Sequence, residues 1–237
     1  MIYIAKPTPD TLGLYFGHEL QGSYFTNGDV TPVSANQYHC GWLIAGERHP
    51  NDEVLMVGLG SGAGIVALLT NFPMMTCTCV EPLPEVVRTA LQAFAPLRDL
   101  VDNGRLQIVL NTAEAFLEKS ERYPLILCDA YQGKDGYICE TAYIEKALAK
   151  GDAVWLNVIG APSHGAIPQV LDLMDVMDRP ARSAYCIQPG FANWLISTED
   201  FKKSSFVPYP DSSVPQVATV RKWYNALARQ DRLALLK

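Results

Sequence analysis

The chain has 237 residues, of which 49% are hydrophobic and 19% charged, with a formal net charge of −6. This composition suits one soluble globular domain with a sizeable core and a small appendage, free of internal repeats and low-complexity tracts. The acidic balance argues against nucleic acid as the main partner, since phosphate binding needs a basic surface, and it suits a neutral or cationic small substrate. No charged segment followed by an apolar core opens the sequence, and no apolar run approaches the ~18 residues of a membrane span, so a cytoplasmic protein with no membrane partner is expected.

Residues 1–50 hold Gly13, Gly17, Gly22 and Gly28 among scattered aromatics and short Thr/Val/Tyr-rich runs. They read as a small β-rich segment of short strands and turns, packed on the main body or on a second subunit. From residue 52, strands and helices alternate. The expected strands are 53–58, 76–81, 106–110, 124–129 and 152–158; the expected helices are 63–71, 84–94, 113–120 and 140–149. Continuous apolar runs such as Leu125-Ile126-Leu127-Cys128 suit parallel strands covered on both faces. Pro84 fits a first helical turn, and Glu85 follows where the helix dipole favours an acid. A helix over 164–178 precedes two β-like segments, 183–188 and 192–197. Only Pro189-Gly190-Phe191 separates them, too short for a parallel crossover, so the pair is expected to be antiparallel. Residues 204–216 read as a Ser/Pro-rich loop, and 217–236 as a C-terminal docking helix. The predicted architecture is therefore an α/β, Rossmann-like domain over 51–237 preceded by the β-rich segment 1–50.

The six cysteines, Cys40, Cys77, Cys79, Cys128, Cys139 and Cys186, form no CxxC pair. Four of them, Cys77, Cys79, Cys128 and Cys186, sit in apolar strand-like runs and are expected to be buried free thiols in a reducing compartment. No Cys/His cluster has ligand spacing, so no metal is expected.

The most informative stretch is Glu53-Val-Leu-Met-Val-Gly-Leu-Gly-Ser-Gly-Ala-Gly64, an apolar run that stops at a glycine-rich turn before a helical pattern. A strand feeding a glycine loop and a helix N-terminus suits a nucleotide-like ligand. The loop can be read in two registers. Gly58, Gly60 and Ala63 satisfy a dinucleotide fingerprint, whereas Gly58, Gly60 and Gly62 suit an adenosyl sulfonium ligand. In both, glycines let the backbone approach the ligand, and Glu81 at the end of the next strand accepts the ribose hydroxyls. The plainer alternatives are that Glu81 caps the helix after Pro82 and that Asp129 is a structural turn acid.

Further stretches favour one register. Ala113-Glu-Ala-Phe116-Leu117, Tyr123-Pro-Leu-Ile-Leu-Cys-Asp129-Ala130-Tyr131 and Asn193-Trp-Leu-Ile follow in order after Gly58–Gly62 and Val80-Glu81-Pro82. Together with Gln37-Tyr38-His39 they resemble the spermidine synthase family over about residues 25–200. The terminal hairpin is likewise similar to that of the seven-stranded fold of S-adenosylmethionine-dependent transferases. The resemblance implies a ligand that is S-adenosylmethionine or decarboxylated S-adenosylmethionine, and a homodimer in which residues 1–50 help form the acceptor side. It places Gly58 and Gly60 against the methionine-derived portion, with Gly62 in the same cofactor-binding loop, Glu81 on the ribose and Ala113 at the adenine edge. Asp129 and Ala130 line the wall between cofactor and acceptor. Tyr38 and His39 would stand beside the acceptor.

The departures bear on the reaction. Ser61 replaces the Asp of the family's glycine loop, and Asn111-Thr112 replaces its adenine-contacting Gly-Asp pair. Tyr38-His39-Cys40 stands where the family has Tyr-His-Glu, and Gln132 replaces the second Asp of the acceptor site. An alkyl amine is protonated at pH 7, with a pKa near the ~10.4 of Lys, so a transferase must take up its proton. Gln132 accepts a hydrogen bond but is no base; Asp129 remains, with Asp135 and Glu140 nearby in sequence. Methyl transfer, or transfer to an atypical small-molecule acceptor, is therefore preferred, with Asp129, Tyr38, His39 and Gln132 as the catalytic candidates. Aminopropyl transfer to a diamine, a non-catalytic nucleoside-ligand-binding protein and a nicotinamide-linked enzyme are the alternatives. His164, after the fifth strand, reads as a helix-start residue or an acceptor-site residue, and Asn157 as a residue bonded to backbone. Tyr131 and Trp194 read as core or as aromatic partners of a sulfonium.

Overall fold

A computed structural model describes residues 1–30, 39–130, 141–159, 166–188 and 193–199. The loop expected over 204–216 and the helix over 217–236 lie outside these residues. An N-terminal antiparallel sheet comprises β1 (Ile2–Ala5), β2 (Thr11–Phe16) and β3 (Glu19–Phe25). Then follow α1 (His39–Arg48), β4 (Glu53–Val57), α2 (Ala63–Asn71), β5 (Thr76–Glu81), α3 (Pro84–Ala93), α4 (Ala95–Asp102) and β6 (Leu106–Leu110). The chain continues through α5 (Ala113–Lys119), β7 (Tyr123–Cys128), α6 (Thr141–Lys150), β8 (Gly151–Ile159), α7 (Ala166–Val176), β9 (Ser183–Gln188) and β10 (Asn193–Ser197). No helix among the described residues is long and apolar enough to cross a membrane.

The main sheet has the order β6-β5-β4-β7-β8-β10-β9. β4 to β8 pair in parallel, whereas β10 inserts antiparallel between β8 and β9. The antiparallel pair expected from its short connection is present. The architecture is Rossmann-like, of the kind found in methyltransferases, with helices on both faces of the sheet.

Alternation of side chains divides the core. Val54, Met56, Cys77, Cys79, Leu125, Leu127, Ala153 and Trp155 face one side, where they pack with residues of α1, α2 and the N-terminal sheet. Leu55, Val57, Ile126, Cys128, Val154 and Leu156 face the other, against α6 and α7. Cys77, Cys79 and Cys128 are buried free thiols. By the same parity, the residues that end β5, follow β7 and approach the end of β8 (Glu81, Asp129 and Asn157) project to the first face.

Two expectations need correction. The segment 1–50 is β-rich only in its first half, since residues 39–48 form α1. Gly46 lets this helix approach α2 so closely that a Cβ there would collide with the Phe72 ring. The single helix expected over 84–94 is followed by a second, α4, which the apolar pattern did not reveal. Phe94 is extended, with φ −116° and ψ 99°, and serves as the C-cap of α3 and the N-cap of α4, while Pro96 occupies the first turn of the new helix. The N-terminal sheet packs on the main body, where Tyr24 stacks on Phe94 with ring centroids 4.2 Å apart.

Candidate functional site

The glycine loop joins β4 to α2 at the carboxyl end of the parallel strands, where ligands of open α/β sheets bind. Gly58 has φ +98°, and a Cβ there would stand 2.6 Å from the Asp129 carbonyl oxygen and 3.3 Å from the Ala130 Cα. Only glycine satisfies both the backbone conformation and this close approach. Gly62, at φ +73°, is pressed against Leu97 in the same way. Gly60 differs, since at φ +52° its Cβ position lies in ordinary van der Waals contact, 3.9 Å from its nearest neighbour, Gln21. Ser61 is 2% exposed, and β3 covers it: Gly22 is in close contact with its side chain, and the Tyr24 hydroxyl donates to its carbonyl at 3.0 Å. The N-terminal sheet therefore seats directly on the glycine loop.

Glu81 ends β5 beside this loop and is 6% exposed. Its Oε2 accepts from the Leu59 N–H at 3.1 Å and its Oε1 from the Leu83 N–H at 3.0 Å. One carboxylate thus braces both the glycine loop and the turn into α3. Burial raises its pKa, opposed by these two donors. Each oxygen keeps a further lone pair, so the brace does not exhaust the capacity for a vicinal diol.

Asp129 follows β7, one residue beyond the strand although the expected strand included it. Its N–H still donates to the Val57 carbonyl at 2.8 Å, which fixes its backbone to β4. Its Oδ1 accepts from Asn157 Nδ2 at 2.7 Å. Burial pushes the carboxyl up to about 6, against the lowering effect of the Asn157 bond. Ala130 follows, and its carbonyl accepts from the Tyr143 hydroxyl at 3.3 Å. The expected role of Asn157 as a backbone-bonding residue is replaced by this contact with the carboxylate. A signal was available in the sequence: an amide interrupts the apolar run of β8, and in-register parallel strands place it beside the residue after Cys128.

Ala113 is the first residue of α5, just beyond the carboxyl end of β6, and Thr112 caps that helix by accepting the Ala115 N–H at 3.3 Å. Thr112 is thus committed to the helix. His39 is the first residue of α1. The other end of that helix reaches the amino edge of the sheet, where Arg48 pairs with Glu199 at 3.2 Å, so His39 begins the helix toward the carboxyl edge. Tyr38 and Gln132 lie outside the described residues, as do Tyr131, His164, Asp135 and Glu140. The structure thus gathers Gly58, Gly60, Gly62, Glu81, Ala113, Asp129 and Ala130 at one end of the sheet.

No family model matches the chain, and no curated protein matches it. Solved structures do. Spermidine synthase from Thermotoga maritima superposes with a TM-score of 0.67 at 13% identity, covering 95% of this chain and 84% of that one. Spermidine synthase in complex with the transition-state analogue AdoDATO gives 0.63 at 13% identity over the same shares, 95% and 84%. Magnesium protoporphyrin IX methyltransferase from Synechocystis PCC 6803, with bound SAM, gives 0.51 at 13% identity, covering 67% of this chain and 74% of that one. At such identity the likeness establishes a fold shared by methyltransferases and spermidine synthases.

Proposed function

We propose that the chain is an S-adenosylmethionine-type transferase acting on a small molecule, by methyl transfer or by transfer to an atypical acceptor. The observation that carries this reading is the junction at Gly58. There the glycine loop meets the Asp129–Ala130 backbone, so a half-buried acid sits directly behind the loop, with Glu81 on the adjoining strand. The residues fit the ligand. Gly60, whose Cβ position meets only Gln21 at 3.9 Å, leaves the loop backbone for the methionine-derived portion, Glu81 keeps lone pairs for the ribose hydroxyls, and Ala113 stands where the resemblance implies the adenine edge. When bound, S-adenosylmethionine supplies an alkyl carbon on a positive sulfur, a good leaving group. The chain's own task is then alignment and proton removal. Asp129 meets the second need, because a carboxyl held at about 6 is a stronger base than an ordinary one. Neutral Gln132, where the resembling family has its second Asp, favours this reading over aminopropyl transfer to a diamine.

Titration calorimetry with S-adenosylmethionine, its decarboxylated form and methylthioadenosine tests the proposal. Binding of S-adenosylmethionine is expected. Failure of all three to bind would refute it, and a preference for the decarboxylated form would restore aminopropyl transfer. A mass-spectrometric survey of co-purified ligands and of turnover on mixed acceptors separates an enzyme from a non-catalytic binder.

A further inference from the structure

Asp129 and Asn157 stand side by side because β7 and β8 run parallel and in register. Cys128 pairs with Leu156, and the residues that follow share the face of Leu127 and Trp155. The residues beneath them on the same face, Leu127 and Trp155, and the one opposite Asn157 on β10, Leu195, are all 0% exposed. Against this apolar floor Asn157 is 4% exposed, and its Oδ1 has no hydrogen-bond partner among the described residues. The amide is not free to reverse. An ionised carboxylate only accepts, so the atom that meets it at 2.7 Å is Nδ2, and Oδ1 is the atom left over. A buried acceptor without a donor is costly, and a Leu or Val at this position would avoid the cost.

We infer that Asn157 is a positioning residue for Asp129 and completes the acceptor site, its Nδ2 fixing the carboxylate and its Oδ1 receiving an N–H of the nucleophile. The inference rests on the transferase reading. It also defines the nucleophile's class. A hydroxyl has one hydrogen and satisfies one of the two neighbouring acceptor groups. An amino or ammonium nitrogen carries enough hydrogens for both. In the reaction the bound ammonium gives a proton to Asp129, the lone pair this frees forms the new N–C bond, and the C–S bond breaks with its pair left on sulfur. The raised pKa of Asp129 suits that transfer.

The test uses the whole protein saturated with methylthioadenosine and labelled with carbon-13 at aspartate side chains. The Asp129 carboxyl signal is followed by NMR while n-butylamine or n-butanol is added. In the wild type n-butylamine should shift the signal saturably, and n-butanol should bind at least about tenfold more weakly. Asn157→Leu should weaken n-butylamine by at least about tenfold. It should also raise the Asp129 pKa, since a hydrogen bond to the charged form is lost, while methylthioadenosine affinity stays within about twofold. Asn157→Gln, which keeps both amide groups, should recover part of both losses. Equal binding of amine and alcohol to the wild type would overturn the inference, even if the Leu variant failed to fold. So would a folded Asn157→Leu with unchanged amine affinity and Asp129 pKa. If the wild type binds none of methylthioadenosine, S-adenosylmethionine and its decarboxylated form, it is the transferase reading that fails, and the assignment of Asn157 falls with it.

Discussion

At the amino ends of the parallel strands, cations hold helix C-termini; at the carboxyl ends, carboxylates are buried beside glycines and helix N-termini. Arg105 shares the two hydrogens of one terminal nitrogen among the carbonyls of Leu69, Phe72 and Met75, at 2.8–2.9 Å, which closes the end of α2. Arg179 does the same between α6 and β8, donating to Leu148, Gly151 and Asp152 carbonyls at 2.8–2.9 Å. Lys150 donates to the Ser120 carbonyl at 2.6 Å after α5. Every crossover helix in such a sheet starts at the carboxyl edge and ends at the amino edge. Orphan carbonyls therefore collect at one edge and orphan N–H groups at the other, and the charges sort accordingly.

The acids at the two edges respond oppositely. Glu199, at the amino edge, is pushed up by burial, but hydrogen bonds from His49 and Trp155 and the charges of His49 and Arg48 pull it down to about 2. Asp129 is pushed up to about 6, with only Asn157 opposing. One acid stabilises the fold and the other strains it. A site that holds an uncompensated acid ready for a proton is less stable than one built only to fold.

The comparison can be broken most severely at Gly58. Gly58→Ala forces a side chain onto the Asp129 carbonyl at a positive φ. It should destabilise the protein by about 3 kcal/mol and abolish adenosyl-ligand binding, read by urea denaturation and calorimetry. Arg105→Met acts only on the amino edge. It should destabilise the protein by about 2–4 kcal/mol, because three carbonyls lose their donor, while ligand affinity per folded molecule changes by less than about twofold. If that variant lost affinity specifically, the separation between the edges would fail.

Smaller effects come from the acids. The folded pKa of Asp129 lies above its ordinary value of 3.8, so ionising it opposes folding. This cost is absent below about pH 4 and grows as pH rises to the folded value near 6. Asp129→Asn should therefore stabilise the protein at pH 8 by up to about 3 kcal/mol and not at pH 3.5, while losing turnover. Glu199 has the opposite sign. Its contribution is present above its ordinary value of 4.5 and is lost as pH falls toward 2. Glu199→Gln should flatten the acid limb of the stability curve in that window. Glu81→Gln should have the smallest effect on stability, about 1 kcal/mol, and should weaken adenosyl ligands by about tenfold or more in calorimetry. An unchanged affinity would reduce Glu81 to a brace for its two backbone donors.

The strands and the glycine loop were legible because local chemistry specified them. Continuous apolar runs mark β4 and β7, and glycines mark the turn between β4 and α2. The short 189–191 connection permitted only an antiparallel pair. α1 was misread because Gly41 and Gly46 weaken its local helical signal, and the burial of Trp42, Ile44 and Ala45 that holds it comes from other elements. α4 escaped notice because a single extended residue, Phe94, divides two helices. Asp129 and Glu81 were found by position at strand ends. The partner of Asp129 was missed because Asn157 lies in a different strand and only the β7–β8 register joins them.

The sequence by itself determined which segments become strands, where the backbone must take glycine conformations and which acids end the strands. Those properties depend on residues close together in the chain. Only the tertiary structure decided that Gly58 abuts Asp129, that Gly22 and Tyr24 cover Ser61, and that Asn157 holds the Asp129 carboxylate. Each of these depends on which strands become neighbours and in what register, and that is settled by burying both faces of one sheet at once.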